Sequence, residues 1–137
     1  MANKDYSAYK VLVVDDHQLS LKLVTQQLEV IGFKNIDVVY NGEEAMQRLD
    51  AAPYDIVFLD WSMPVMDGLT FLRQCTAQER FKDVAFVMLS AEVQSSQIME
   101  TIKAGAISYI TKPLSLPDLK DKADKVIEWL GKRKAGP

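Results

Sequence analysis

Short apolar runs alternate along the chain with segments in which apolar residues recur every three or four positions. The first pattern is typical of strands buried on both faces, and the second of amphipathic helices. Five runs are predicted to be strands, at residues 11–14, 36–40, 56–59, 84–89 and 107–110. Asp37 interrupts the second run, so this strand is predicted to lie at an edge of the sheet.

Helical spacing follows each run. The first helix is predicted to end near Gly32, after the inward residues Leu21, Val24, Leu28 and Ile31. The second begins with a capping box, in which Asn41 and Glu44 satisfy free backbone N–H groups at the helix terminus.

The last three helices have recognisable ends. The third is predicted to begin at Asp67 and Gly68, the fourth to end at Gly105, and the fifth to begin near Ser115 with Pro117 in its first turn. The inward residues are expected to be Leu69, Leu72 and Cys75 in the third helix, Ile98 and Ile102 in the fourth, and Leu119, Ala123, Val126 and Leu130 in the fifth.

Five strand–helix units predict an α/β fold, (βα)5, with a parallel five-stranded sheet covered by helices on both faces. Residues 1–137 are expected to form one domain, with a core at about residues 8–131 and a charged, frayed tail at 132–137. No stretch after the fifth helix could serve as an effector, so the output is expected to pass through a partner protein.

Composition narrows the class of protein. The chain has 137 residues, 48% hydrophobic and 26% charged, as in an ordinary globular domain. Its net charge of -3 gives no electrostatic reason to expect nucleic acid as a partner. The sequence shows no secretory signal, no membrane-spanning stretch and a single cysteine, Cys75. A cytoplasmic protein that binds neither nucleic acid nor membrane is expected.

Residues with useful chemistry fall at the ends of the predicted strands. In an open parallel sheet, the loops after the carboxyl ends of the strands gather at one edge, where ligands bind. The residues at those positions are Asp15, Asp16, Asp60, Ser90 and Lys112. We therefore expect them to meet in one site.

Three clustered carboxylates repel one another, by roughly 4 kcal/mol per pair at about 4 Å and an effective dielectric constant near 20. Mg²⁺ is the expected cofactor, because it prefers oxygen ligands and is commonly held by one or two carboxylates. A divalent ion, the Lys112 ammonium and the Ser90 hydroxyl around one carboxylate are typical of phosphoryl transfer. Asp60 is the expected nucleophile, forming an acyl phosphate, since its strand is predicted to be central.

Several motifs together resemble the receiver domains of two-component response regulators. They are VLVVDD at 11–16, LDWSMP at 59–64, MDG at 66–68, LSA at 89–91, AGA at 104–106 and KP at 112–113. The Asp60–Trp61 pair and Tyr109 most resemble the single-domain chemotaxis regulators of that family. The resemblance implies a doubly wound, flavodoxin-like fold with strand order 2-1-3-4-5.

The resemblance also implies roles around Asp60, which would accept a phosphoryl group from a histidine kinase. Mg²⁺ would be held by Asp16 directly, by Asp15 largely through water, by Asp60 and by the backbone carbonyl of Ser62. The protein would be a signalling module rather than an enzyme, catalysing only its own phosphotransfer and autodephosphorylation.

Ser90 and Lys112 would each bind a phosphoryl oxygen, and Tyr109 would be an aromatic switch. As Ser90 is drawn to the phosphoryl group, Tyr109 would turn inward and reshape the face made by helix 4, strand 5 and helix 5, where a downstream target binds. A monomer or a transient dimer is expected. Ser62, where related chemotaxis proteins often carry Asn, and Glu92 leave the phosphoaspartate lifetime unpredicted. Lys112–Pro113 resembles the family's cis peptide, which the sequence permits without showing.

Other residues near these motifs have plainer interpretations. His17 is expected to open the first helix rather than to bind a metal or relay phosphate, and Cys75 to pack in the core. Trp61 is expected to lie beside the site, partly exposed. Met63 and Met66 are expected to pack and to shape the loop after the third strand.

Alternative functions remain open from the sequence. A phosphorelay intermediate or phosphate sink would use the same residues. A flavodoxin-like electron carrier shares the fold class, but Asp15 and Asp16 would repel a flavin phosphate. A haloacid-dehalogenase-type phosphatase expects a second Asp where Ser62 stands. A receiver that only docks, without phosphorylation, is disfavoured by the intact Asp60 and Lys112.

Overall fold

The computed structural model describes residues 5–63, 66–91 and 94–135, with side chains described as far as residue 133. A 3₁₀ turn, Tyr6–Ala8, precedes the first strand, and another, Glu79–Phe81, precedes the fourth. The strands are β1 (Lys10–Val14), β2 (Asn35–Val39), β3 (Ile56–Asp60), β4 (Ala85–Ser90) and β5 (Ser108–Thr111). The helices are α1 (Gln18–Ile31), α2 (Gly42–Ala51), α3 (Gly68–Thr76), α4 (Ser95–Lys103) and α5 (Leu116–Ala135). The predicted (βα)5 order is confirmed.

All five strands are parallel and lie side by side in the order β2-β1-β3-β4-β5. The implied strand order is therefore confirmed, as is the edge position of the second strand. Every residue of β3 and β4 is buried, whereas only Val39 of β2 is. Asp60 pairs with Leu89 and Ser90 with Thr111, so the strands end together at one edge of the sheet.

Helices cover both faces of the sheet. On one face, Leu59 and Met88 pack in a core with Leu72 of α3 and residues of α2. On the other face, Phe58 packs with Val126 of α5 and residues of α1. Burial of each such side chain contributes about 1.5–3 kcal/mol, and the two cores hold the strand ends in a fixed relation.

The predicted helix starts are confirmed, except that the Glu44 carboxylate binds a different backbone N–H from the one expected. The Asn41 side chain accepts a hydrogen bond from the Glu44 N–H at 2.8 Å. The Glu44 carboxylate accepts at 2.8 Å from the N–H of Tyr40, one residue before the expected partner. Tyr40, predicted to end the second strand, is instead exposed beyond it. The Ser115 hydroxyl accepts from the Asp118 N–H at 3.2 Å, at the expected start of α5.

The prediction that Ile102 faces inward is wrong. Ile102 is 44% exposed, and the neighbouring Thr101 is fully buried in its place. Thr101 can be buried because its hydroxyl donates to the backbone oxygen of Gln97 at 2.9 Å, which satisfies its polar group. Ile98 does pack against the core, as predicted.

The prediction of a frayed tail from residue 132 is also wrong, because α5 continues to Ala135. Arg133 anchors this end of the helix. Its guanidinium donates to the backbone oxygen of Lys82 at 3.0 Å and to Asp83 at 3.1 Å, and it lies 5.0 Å from the ring centre of Trp129. Residues 136 and 137 lie outside the described part of the chain. Across the described ranges, none of the helices is both long enough and apolar enough to traverse a bilayer.

Candidate functional site

A single cleft at the carboxyl edge of the sheet brings together the predicted site residues. Its lining includes Asp15, Asp16, Asp60, Ser62, Ser90 and Lys112. Four separate stretches of sequence supply these side chains, and the parallel sheet brings them together because its strands end at the same edge.

Asp15 follows β1 and is held from several sides. It is fully buried, its N–H donates to Val39 O at 3.2 Å, and its Oδ1 accepts from the His17 N–H at 2.9 Å. The neighbouring Asp16 is exposed at the mouth of the cleft. His17 occupies the position before α1, with an exposed side chain that makes no capping bond. The prediction that it opens the helix is confirmed.

Asp60 is the last residue of the central strand β3, and the backbone after it is tightly constrained. The Trp61 N–H donates to Leu89 O at 2.9 Å, and Trp61 O accepts from the Gly68 N–H at 2.8 Å. A Cβ atom on Gly68 would lie 2.4 Å from the backbone oxygen of Asp60. Glycine is therefore required at residue 68, because any side chain there would displace the strand end that carries Asp60.

Lys112 connects the two buried carboxylates. Its Nζ lies 2.8 Å from Asp60 Oδ1, 3.1 Å from Asp15 Oδ2 and 2.9 Å from Ser20 Oγ. The Lys112 N–H donates to Ser90 O at 2.8 Å, which ties the end of β5 to the end of β4. The Lys112–Pro113 peptide bond is cis, as the resemblance implied.

The electrostatics of the site follow from burial and from these contacts. Burial raises the pKa of the Asp60 carboxyl. The hydrogen bond from Lys112 opposes that rise, and the charges of Asp15 and Asp16 add to it. Burial alone would lower the pKa of the Lys112 ammonium, but its contacts with Asp60 and Asp15 outweigh burial, and its pKa is raised. Lys112 is therefore protonated at neutral pH.

The carboxylates of Asp15, Asp16 and Asp60 could hold a metal ion. Each offers one oxygen, and the three oxygens lie within 4.8 Å of one another. Three carboxylates and one ammonium leave two negative charges when all are ionised, so Lys112 alone does not neutralise the cluster. Oxygen donors with excess negative charge fit a hard divalent cation.

Sequence reasoning missed two residues of this cleft, Ser20 and Gln97. Ser20 lies on α1 and contacts Lys112, and Gln97 lies on α4. Both are helical, whereas the rule for parallel sheets points only to residues that follow strands. For Ser20, the available signal was its place on the first turn of the helix that follows the acidic pair.

The remaining predicted residues lie beside the cleft or in the core. Tyr109 is 8% exposed and packs in the core beside α3. Trp61 is partly exposed beside Asp60, and Met63 and Met66 pack against the same core, as predicted. Cys75 is buried, as expected. Pro64 and Glu92 lie outside the described residues.

A parallel sheet of this order, with an acidic triad, a serine and a lysine at its carboxyl edge, defines a receiver-type signalling domain. The chain belongs to the response regulator receiver domain family, whose model matches residues 11–124. This membership places the chain apart from flavodoxin-like carriers and haloacid-dehalogenase-type phosphatases.

Relatives of similar length point to one branch of the family. The chain is 36% identical to the chemotaxis protein CheY-3 of Vibrio cholerae over 121 residues, 88% of this chain and 93% of that protein. It is 34% identical to the chemotaxis protein CheY of Pseudomonas aeruginosa over 119 residues, 87% of this chain and 96% of that protein.

Solved structures agree with the sequence relatives. The CheX-CheY-BeF3-Mg complex of Borrelia burgdorferi matches with a TM-score of 0.80 and 33% identity, over 87% of this chain and 89% of that one. CheY4 of Vibrio cholerae matches with a TM-score of 0.79 and 28% identity, over 86% and 98%. The chain is thus a receiver domain similar to the CheY chemotaxis regulators.

Proposed function

We propose that this receiver domain accepts a phosphoryl group on Asp60 from the phosphohistidine of a histidine kinase and then signals by binding a partner protein. One observation carries the proposal: the Lys112 ammonium bridges the buried Asp60 and Asp15 carboxylates in the cleft that Ser90 also lines. A nucleophilic carboxylate, a fixed cation and a hydroxyl donor around one space form the arrangement that phosphoryl transfer requires. The arrangement does not favour stability, because its clustered carboxylates repel one another.

The proposed transfer uses the chain's own residues as follows. Lys112 binds Oδ1 of Asp60, so we assign the attack on phosphorus to Oδ2. An O–P bond forms, the P–N bond to the donor imidazole breaks, and its electron pair stays on the nitrogen. The protonated Lys112 pairs with one phosphoryl oxygen and the Ser90 hydroxyl donates to another, which stabilises the charge that the transferred group carries.

Mg²⁺ is the proposed cofactor. The carboxylates of Asp15, Asp16 and Asp60 and the backbone carbonyl of Ser62 would hold it, and their oxygen chemistry fits. When bound, it would neutralise charge on the phosphoryl oxygens. Loss of the phosphoryl group to water would reverse the signal, so that the domain catalyses only its own phosphorylation and dephosphorylation.

The proposed output runs through Ser90 and Tyr109 to the face formed by α4, β5 and α5. Three apolar side chains support a protein partner there, because they are exposed on those helices: Met99 at 58%, Ile102 at 44% and Leu116 at 37%. We assign Tyr109 as the switch that couples this face to Ser90. The chain is proposed to act as a monomer or transient dimer.

The similarity to CheY proteins supports a role in chemotaxis, with the chain working in the cytoplasm. A histidine kinase would be the upstream partner and a downstream target protein the second, with neither nucleic acid nor membrane involved. A phosphorelay intermediate would use the same chemistry, but it would pass the phosphoryl group on to another histidine instead of binding a target while phosphorylated.

Tryptophan fluorescence tests the assignment of Asp60. The chain has two tryptophans, so Trp129→Phe leaves Trp61, beside the site, as the single reporter. Adding Mg²⁺ with beryllofluoride or acetyl phosphate is expected to quench or shift its emission, and Asp60→Asn in the same background is expected to abolish the response. Glu29→Gln, at an exposed carboxylate of α1, is the control. A response that survives Asp60→Asn would refute the assignment.

A further inference from the structure

Gln97 carries a buried donor that the mechanism above does not use. It lies in the first turn of α4 and lines the same cleft as Asp60, Ser90 and Lys112. Its side-chain nitrogen, Nε2, is buried and has no hydrogen-bond partner among residues 5–63, 66–91 and 94–133. Few buried polar groups in folded proteins lack a partner, because each one loses its bonds to water without replacement.

The chemistry of this nitrogen restricts what could satisfy it. An amide N–H is a neutral donor, so it suits an oxygen acceptor and does not suit a metal cation. A phosphoryl group on Asp60 would bring three strong acceptor oxygens into the cleft. Ser90 ends β4 and Lys112 follows β5, whereas Gln97 lines the same cleft from a helix.

The backbone of Gln97 is firmly part of α4. Its N–H donates to Gln94 O at 3.1 Å, and its carbonyl accepts the hydroxyl of the buried Thr101 at 2.9 Å. A new bond at its side chain would therefore act on the helix rather than on a loose loop. The same helix presents the exposed Met99 and Ile102.

We propose that Gln97 is a positioning residue for the phosphorylated state: its side-chain amide, unpartnered before phosphorylation, donates to an oxygen that arrives with the phosphoryl group and draws α4 toward Asp60. This inference rests on the function proposed above. It adds a second connection between the phosphoryl group and the output face, independent of Tyr109.

The test compares the stability of the unphosphorylated protein with its affinity for beryllofluoride. Loss of the donor is expected to lower the affinity without lowering the stability. Gln97→Met keeps the length of the side chain and removes the donor. Because the donor is unpartnered in the unphosphorylated protein, the variant is expected to unfold at an equal or higher urea concentration than the parent. Its affinity for beryllofluoride in Mg²⁺, followed by Trp61 emission in the Trp129→Phe background, is expected to fall about fivefold, as for one lost hydrogen bond.

Two further variants complete the design. Gln97→Glu replaces the donor with an acceptor of the same shape, and a larger loss of beryllofluoride affinity is expected. Gln74→Met, at an exposed glutamine of α3, is the matched control and should change neither quantity.

Unchanged beryllofluoride affinity in Gln97→Met would overturn the inference, as would a parallel loss of stability and affinity in that variant, which a purely structural role predicts. Failure of the parent protein itself to respond would instead count against the proposed function.

Discussion

Asp60 is 7% exposed and shares its cleft with two other carboxylates and one ammonium group. Its raised pKa means that the folded state holds this proton more tightly than the unfolded state does. Between the ordinary carboxyl pKa and the raised one, stability therefore falls as pH rises. Ionisation of Asp60 therefore lowers the free energy of unfolding, and the residue serves chemistry rather than stability.

Replacing this carboxylate should stabilise the metal-free protein. Asp60→Asn is expected to raise the free energy of unfolding by about 1 kcal/mol at pH 7 in EDTA, because it relieves repulsion and desolvation. Urea unfolding measures the difference, which should shrink in acid, where the parent carboxyl is also neutral. Glu29→Gln, on an exposed carboxylate of α1, should change stability by less than about 0.5 kcal/mol. Destabilisation by Asp60→Asn would contradict the prediction.

Cys75 provides a prediction at a residue outside the site. Burial raises the pKa of its thiol to about 12, from an ordinary value of 9.0. Alkylation by iodoacetamide at pH 8 should therefore be slow in the native protein and fast in urea, since the thiolate is the reactive form. Above pH 9 the unfolded state loses this proton first, so stability should fall as pH rises. Rapid native labelling at pH 8, measured by mass spectrometry, would contradict this.

The sequence was informative about single residues wherever a strand ended. Asp60 and Lys112 could be found because parallel strands deliver their terminal residues to one edge. Ser20 and Gln97 could not, because which face of a helix meets the cleft depends on how that helix is placed on the sheet. The ion pairs from Lys112 to both buried carboxylates also depend on side-chain placement that no spacing rule supplies.

Among the elements, the start of α3 makes the strictest demand on sequence. Gly68→Ala would bring a Cβ atom to 2.4 Å from the backbone oxygen of Asp60, so the helix or the end of β3 must move. We expect a loss of about 2 kcal/mol in stability and weaker beryllofluoride binding. Urea unfolding and Trp61 titration measure the two effects.

Gly131 of α5 is the matched control for that substitution. A Cβ atom there would meet nothing within 4 Å, and the position is an exposed one inside a helix. Gly131→Ala should therefore stabilise the protein by about 0.5–1 kcal/mol through helix propensity alone. Equal effects at the two glycines would show that the contact with Asp60 does not matter.

Elements with continuous apolar runs were predictable, whereas the apolar residues of α4 gave the wrong inward face. Buried strands such as β3 were predictable because their side chains are apolar on both faces and their short runs are rich in β-branched residues. In α4, apolarity predicted Ile102 inside, whereas Thr101 is buried with its hydroxyl bonded to Gln97 O. An exposed Ile102 is consistent with a surface kept for a partner, which periodicity alone does not distinguish from a core position.

At the scale of the whole molecule, the two edges of the sheet at which strands end and begin differ in how their polar groups are paired. The carboxyl edge holds the unneutralised acidic cluster and the Gln97 nitrogen, which has no hydrogen-bond partner among the described residues. At the opposite edge the polar groups are paired: Arg80 lies 2.6 Å from Asp50, and the Tyr54 hydroxyl donates to Asp37 at 2.6 Å. The acidic cluster and Gln97 Nε2 thus lie where a phosphoryl group would arrive, while Gln27 Oε1 of α1 is the other buried side-chain atom without a hydrogen bond among the described residues.

This difference between the two edges of the sheet predicts which segments change when the site is phosphorylated. α4 buries a single described residue, Thr101, whereas α3 buries five, so α4 is the α-helix least fixed by packing. Hydrogen exchange with and without beryllofluoride in Mg²⁺ should show slower local exchange in α4 and in the loops around the cleft. For amides near Arg80 and Tyr54 that exchange through local opening, the exchange rates should be unchanged. Ligand binding that merely stabilised the whole fold would slow only amides that exchange by global unfolding. Unaltered local exchange in α4 would therefore rule out that helix as the element that reports phosphorylation.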